Sequence, residues 1–192
     1  MAAPVQQGMS LDEFQRIWEE EGAFEYIDGI RIHMPSKMFV HGSAANQLAR
    51  LMNEFTGREG MAYVEQVFVI PGTEDANWVK GSRIPDMMFF WTARLEAYKA
   101  ANPDWREKPL ALIPDIALEV TSRHDLYDEV AQKVRTYLQD GVKLVWLIEP
   151  APQAVTIYTP TSNQVIVLYA NDTLTGGDVI PGFAVQVGKL FE

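Results

Sequence analysis

Two acidic residues and one basic residue carry the chemistry this sequence makes available. Glu119 sits in DIALEV, residues 115–120, a strand whose other members mostly read as core. Alternation along a strand sends Asp115, Ala117 and Glu119 to one side and Ile116, Leu118 and Val120 to the other. An ionised carboxylate among apolar neighbours is costly unless it is paired or bound to a metal. Asp86 opens a second apolar strand, directly after Ile84-Pro85. Two carboxylates on neighbouring strands make a hard-oxygen site of the kind Mg²⁺ uses, with waters and phosphate oxygens completing the shell. The competing reading puts Glu119 on an edge strand, in water or in a salt bridge.

The basic residue comes from a helix over about residues 125–140, ended by Gly141. At ~100° per residue, Leu126, Val130, Val134, Tyr137 and Leu138 share one face, and Lys133 falls at its edge. Arg135 lies on the far side with Asp128, Gln132 and Gln139. A lysine at such a rim either snorkels to water or reaches across to the carboxylates of the sheet.

Other chemistries are poorly served. The chain has no cysteine, which removes disulfides, thiolate nucleophiles and Cys-ligated zinc and suits a cytoplasmic protein. Its three histidines, His33, His41 and His124, lack ligand spacing, which argues against a histidine zinc site. There is no Walker loop, no GxGxxG and no GxSxG elbow. His41 falls on the inner face of a helix, where a hydrogen-bonded core residue and a ligand are both open readings.

These residues need a scaffold, and the remaining pattern supplies one. Residues 1–9 read as a loose tail, and 10–192 as a single domain. Ser10 and Glu13 form a capping box ahead of Leu11, Phe14, Ile17 and Trp18 at helical spacing, with Gly22 as the stop. Alternating residues around Asp28-Gly29 give a hairpin over 23–34. After Pro35 and Ser36, Val40, Ala44, Leu48, Leu51 and Phe55 stripe a helix over about 37–56.

A strand is expected near Tyr63–Ile70, a loop over 71–82, a strand over 83–91 and one short helix within 92–113. KLVWLIE, residues 143–149, is continuous enough for a central strand buried on both faces. Residues 154–159 and 164–169 form a hairpin, and two short strand-like pieces follow. Strand, helix and strand over 115–149 allow a parallel crossover. The expected fold is α/β: a mixed sheet flanked by helices, with added hairpins. Val179, Ile180, Phe183, Leu190 and Phe191 in the tail serve either as an interface or to close the core.

The ordered motifs FEYIDG (24–29), His41, RIPD (83–86), PDIALEVTS (114–122), Lys133 with Tyr137, and DGVKLVWLIEP (140–150) resemble the Uma-two family of the PD-(D/E)xK nuclease superfamily. The resemblance spans about residues 10–191. It implies a restriction-endonuclease-like core in which Asp86 and Glu119 hold Mg²⁺ or Mn²⁺, with Glu25 as a third metal-site carboxylate. The superfamily's lysine belongs at position 121, which is Thr here; related families supply it from a helix, as Lys133 would. Arg83 is either a phosphate contact or an ordinary surface arginine.

The implied activity is hydrolysis of DNA phosphodiester bonds, with a homodimer cutting both strands. Two alternatives stand beside it: an inactive nuclease-fold protein that binds a partner or nucleic acid, and hydrolysis of another phosphate ester. The charge balance favours the binding protein. Twenty-six acidic residues against 16 basic ones leave a net charge of −10, whereas nucleic-acid binding usually rests on a basic footprint. No membrane span or secretory signal is expected.

Overall fold

The structure is a computed structural model that describes residues 8–34, 39–72, 75, 77–122, 125–160, 162 and 164–192, with backbone alone at 40 and 41. Of the loose tail expected over 1–9, residues 1–7 lie outside the described residues, as do the Pro35-Ser36 break and His124, while Met9 is instead buried and paired in a strand. In chain order the elements begin β1 (Met9–Ser10), α1 (Leu11–Glu21), β2 (Phe24–Ile27), β3 (Ile30–His33) and α2 (Phe39–Thr56). They continue β4 (Gly60–Val64), β5 (Phe68–Pro71), β6 (Trp78–Arg83), β7 (Met87–Trp91), α3 (Thr92–Ala101) and β8 (Ile116–Val120). They end α4 (Tyr127–Asp140), β9 (Leu144–Glu149), β10 (Ala154–Tyr158), β11 (Ile166–Tyr169), β12 (Thr173–Gly176) and β13 (Ile180–Gln186).

Two compact units emerge. The first comprises Met1–Ser36, Val67–Ile84 and Tyr98–Ile113; the second comprises Lys37–Gln66, Pro85–Ala97 and Pro114–Glu192. In the first, β6 is the hub of an antiparallel sheet and pairs with β1, β2 and β5. Ser10 caps α1 as expected, its Oγ accepting the Glu13 N–H. Asp28 and Gly29 both take positive φ, 50° and 84°, the backbone of a type I′ hairpin turn, so β2 and β3 pair as the sequence indicates. Phe14, Ile17, Phe24, Tyr26, Val69 and Val79 form this unit's own core.

Two expectations fail here. The strand expected over Tyr63–Ile70 is two strands, β4 and β5, in different sheets. The chain breaks at Glu65, whose φ is 51°. The expected loop over 71–82 contains most of β6, which runs on to Arg83.

The second unit is built on a six-stranded sheet in the order β11-β10-β9-β8-β7-β4. Only β8 and β9 run parallel, joined by the crossover helix α4; every other neighbouring pair is antiparallel. One face carries Met87, Phe89, Ile116, Leu118 and Trp146, packed with Ala44, Leu48 and Met52 of α2. Ile180, Phe183 and Leu190 are buried in the same core. The apolar C-terminal pieces therefore close the core.

Candidate active site

Glu119 lies on the other face of the six-stranded sheet, the one α4 engages. That is the side the strand alternation assigned to it. β8 is buried along its whole length, so the edge-strand reading of Glu119 does not hold, although a salt bridge does form. Lys133 Nζ donates to Glu119 Oε2 at 2.9 Å, and the Tyr137 hydroxyl donates to Oε1 at 2.5 Å. Lys133 and Tyr137 are four residues apart on α4 and so sit one above the other on a helix face.

Asp86 precedes β7 by one residue. Extending the β7–β8 ladder one step beyond Met87↔Leu118 sets Asp86 opposite Glu119. Directly opposed residues project from the same face. Asp86 Oδ2 accepts the Val120 N–H at 2.6 Å, which ties its carboxylate to the end of β8. Both acidic residues are buried, at 4% and 8% exposure. The Lys133 side chain keeps 22% of its surface open to solvent.

Position 121 contributes no cation. The Thr121 N–H and hydroxyl both donate to the Ile148 carbonyl, continuing the sheet. The ammonium beside Glu119 comes from α4 instead.

α4 itself is shorter than expected. It starts at Tyr127, and Leu126 is exposed as its N-cap residue, off the packed face where the helical wheel placed it. Its far end is stopped by Gly141 in the left-handed region, with φ 105°. Val134, Thr136 and Tyr137 are its buried residues.

Glu25 and Arg83 belong to the first unit. Glu25 is buried on β2, and its Oε1 accepts the Ile84 N–H at 2.9 Å. Arg83 is not a surface arginine: it is buried, and Nη1 donates to the carbonyls of Tyr26 and Ser82. His41 lies on the backbone of α2, and its side chain is outside the described residues.

Three features escaped the sequence reading. Tyr137 was counted as core, yet its hydroxyl holds Glu119; the lysine four residues earlier on the same edge was the available signal. Asp115, at the opposite end of β8 from Val120, is fully buried and bonds Lys143 Nζ and Arg94 Nη1, each at 2.7 Å. Glu65 follows β4, and its N–H donates to the Asp86 carbonyl; the unread break after β4 concealed it.

The donor set fits a small divalent cation. Asp86 and Glu119 offer oxygen ligands from adjacent strands, and Mg²⁺ characteristically takes one or two carboxylates and leaves the rest of its shell to water and phosphate. Among the described residues, no three His, Asp or Glu side chains gather into a larger ligand cluster.

Comparison with known proteins shows the family and the fold. Residues 11–188 match a family model described as "Uma2: Putative restriction endonuclease". Among solved structures, the chain is similar to a protein from Anabaena variabilis described as "a putative nuclease belonging to DUF820". The TM-score is 0.73 at 24% identity, covering 95% of this chain and 97% of that one. The fold is thus restriction-endonuclease-like. No curated protein matches.

Proposed function

The chain belongs to the Uma2 family, and from that premise we propose that it is a divalent-metal-dependent nuclease acting on the phosphodiester bonds of DNA. The observation that carries this reading is the arrangement of Asp86, just before β7, Glu119 on β8 and Lys133 on α4, with the ammonium supplied from the helix in place of position 121.

Asp86 and Glu119 would hold the ion, Mg²⁺ or Mn²⁺. When bound, such an ion stabilises charge on the phosphate and acidifies a water. Asp86 is kept in place by the Val120 N–H, so its carboxylate needs little reorganisation to accept a ligand. Tyr137 fixes one oxygen of Glu119 and Lys133 the other. Lys133, the more exposed partner, can release Glu119 and turn to the scissile phosphate or its attacking water. The absence of cysteine leads us to place this activity in the cytoplasm.

The test is cleavage of supercoiled plasmid and of labelled oligonucleotides with Mg²⁺ or Mn²⁺, with chelator as control. Asp86→Asn and Glu119→Gln are each expected to lower the rate at least 100-fold, and Lys133→Met by a similar order. Cleavage that survives either carboxylate change would refute the assignment.

One observation favours a second reading. Both Glu119 oxygens already accept hydrogen bonds, as they would in a nuclease-fold protein that binds a partner without cutting. Calorimetry with Mn²⁺ separates the two. Heat that disappears in the Asp86→Asn, Glu119→Gln double variant supports the enzyme; heat unchanged in that variant supports the binding protein.

A further inference from the structure

The face of the six-stranded sheet that carries Glu119 continues to an open margin at β11. The strand register traces the route. Glu119 of β8 stands beside Leu147 of β9, Leu147 opposite Thr156 of β10, and Thr156 opposite Val167 of β11. Residues paired in this way project from one face. Tyr169 reaches the same face through Ala154 and Glu149, and Val165 does so by alternation along the chain. Leu168, on the reverse face, packs against the core. Val165, Val167 and Tyr169 are left 53%, 42% and 58% exposed.

This strip is aromatic at both ends, and none of its residues is cationic. Across from Val165, by one step beyond Ile157↔Ile166, stands Tyr158. Burial first, then Tyr127 and Glu149, pushes its phenol above the ordinary value, so it remains neutral. Tyr127, the first residue of α4, is itself 82% exposed. At the other end Tyr169 is anchored through its backbone. Its N–H donates to Asp172 Oδ2 and its carbonyl accepts the Asp172 N–H, each at 2.8 Å. Two carboxylates border the strip: Asp172 beside Tyr169, and Glu149, whose Oε2 accepts the Thr156 hydroxyl at 3.3 Å.

We infer that this strip is a stacking platform for unpaired bases of the strand being cut, so that the substrate is single-stranded DNA or an unpaired stretch within a duplex. The inference rests on the nuclease reading and extends it to the class of substrate. Continuity with the proposed site is the first argument for this occupant. Val167 lies three strand spacings from Glu119, about 14 Å, which is about four nucleotides of one strand at stacked spacing. Charge is the second. A surface that reads the phosphate backbone needs lysine or arginine, whereas here the two bordering carboxylates repel phosphate. A chain of net charge −10 gains most from an attraction that needs no charge, and stacking of bases on aromatic rings is one. Accessibility is the third. A duplex keeps its base faces stacked inside and presents phosphates, whereas a single strand can turn its bases onto the open face of a sheet.

Binding tests this apart from cleavage. The full-length Lys133→Met chain is titrated in Mg²⁺ against a labelled oligothymidine strand, and against the same strand annealed to its complement, with anisotropy as the readout. The single strand should bind at least about tenfold more tightly than the duplex. Adding Tyr169→Ala should weaken single-strand binding about tenfold, and Val167→Glu, which sets a charge in the strip, should do likewise. Tyr169→Phe keeps the ring, and its affinity should equal that of the parent, which assigns the loss to stacking rather than to misfolding. Duplex binding should be the same in all of these chains. Equal affinity for the two forms of DNA, or single-strand binding indifferent to Tyr169→Ala and Val167→Glu, would overturn the inference and leave the strip to a protein partner. If the native chain shows the expected binding yet cleaves neither plasmid nor oligonucleotide, the platform stands and the nuclease reading alone fails.

Discussion

Glu119 is held by two unlike donors, and the difference is testable. The Tyr137 hydroxyl is buried, and hydrogen bonds to charged groups contribute about 1.5–3 kcal/mol. Tyr137→Phe keeps the ring in the core and deletes only that bond. It is expected to cost about 1–2 kcal/mol in urea denaturation and to weaken Mn²⁺ binding measured by calorimetry; a tyrosine that only fills space would leave metal binding unchanged. Asp115 provides the contrast. It is fully buried between Lys143 and Arg94 and also accepts the Trp91 N–H. Asp115→Ala removes the acceptor of the Trp91 N–H and the anion of two ion pairs whose basic partners are partly exposed, and should cost about 1–3 kcal/mol. Denaturation curves should register that loss while Mn²⁺ affinity stays at the wild-type value, since Asp115 stands at the other end of β8 from the site.

The elements show where packing, rather than pattern, decides the structure. Gly60 begins β4, and a Cβ there would come within 2.4 Å of the Phe89 ring. Phe89 is fully buried under α2, so Gly60→Ala forces the ring aside and should lower stability by about 1–3 kcal/mol, seen as a lower thermal midpoint.

The same logic explains what could be read in the sequence. The β2–β3 hairpin was legible because Asp28-Gly29 suits its turn, and β9 because LVWLIE is apolar enough to be buried on both faces. The pairing of Glu119 with Lys133 was one of the readings the sequence allowed, through a carboxylate in an apolar strand and a lysine at the rim of a helical face. β6 was not legible. WVKGSR looks like a loop, yet Gly81 is there because a Cβ would come within 2.9 Å of the Tyr26 carbonyl oxygen. The break at Glu65 left no mark in composition, because a positive φ at a glutamate has no sequence signature. Tyr137 was hidden by its own apolarity.

At the scale of the whole chain, charge sets the terms of any encounter with DNA. A net charge of −10 opposes a polyanion at low ionic strength, where screening is weakest. Anisotropy with a labelled duplex should therefore show little binding in chelator and appreciable binding only with a divalent cation present. Raising monovalent salt without that cation should relieve the repulsion. Tight binding in chelator that weakens steeply with salt would instead point to a basic surface that offsets the overall charge.

The parallel β8–α4–β9 crossover also bears on how the protein comes into being. Asp86, Glu119 and Lys133 come from three successive segments of the chain, and the β7–β8 pairing that joins the first two must close the loop between Trp91 and Ile116 before any contact rewards it. Such non-local pairing slows folding. The proposed catalytic constellation is therefore expected to form only with the tertiary fold. On a ribosome, Asp86 and Glu119 emerge before the lysine and tyrosine that will hold Glu119, so the proposed site stays incomplete in a nascent chain until α4 has docked.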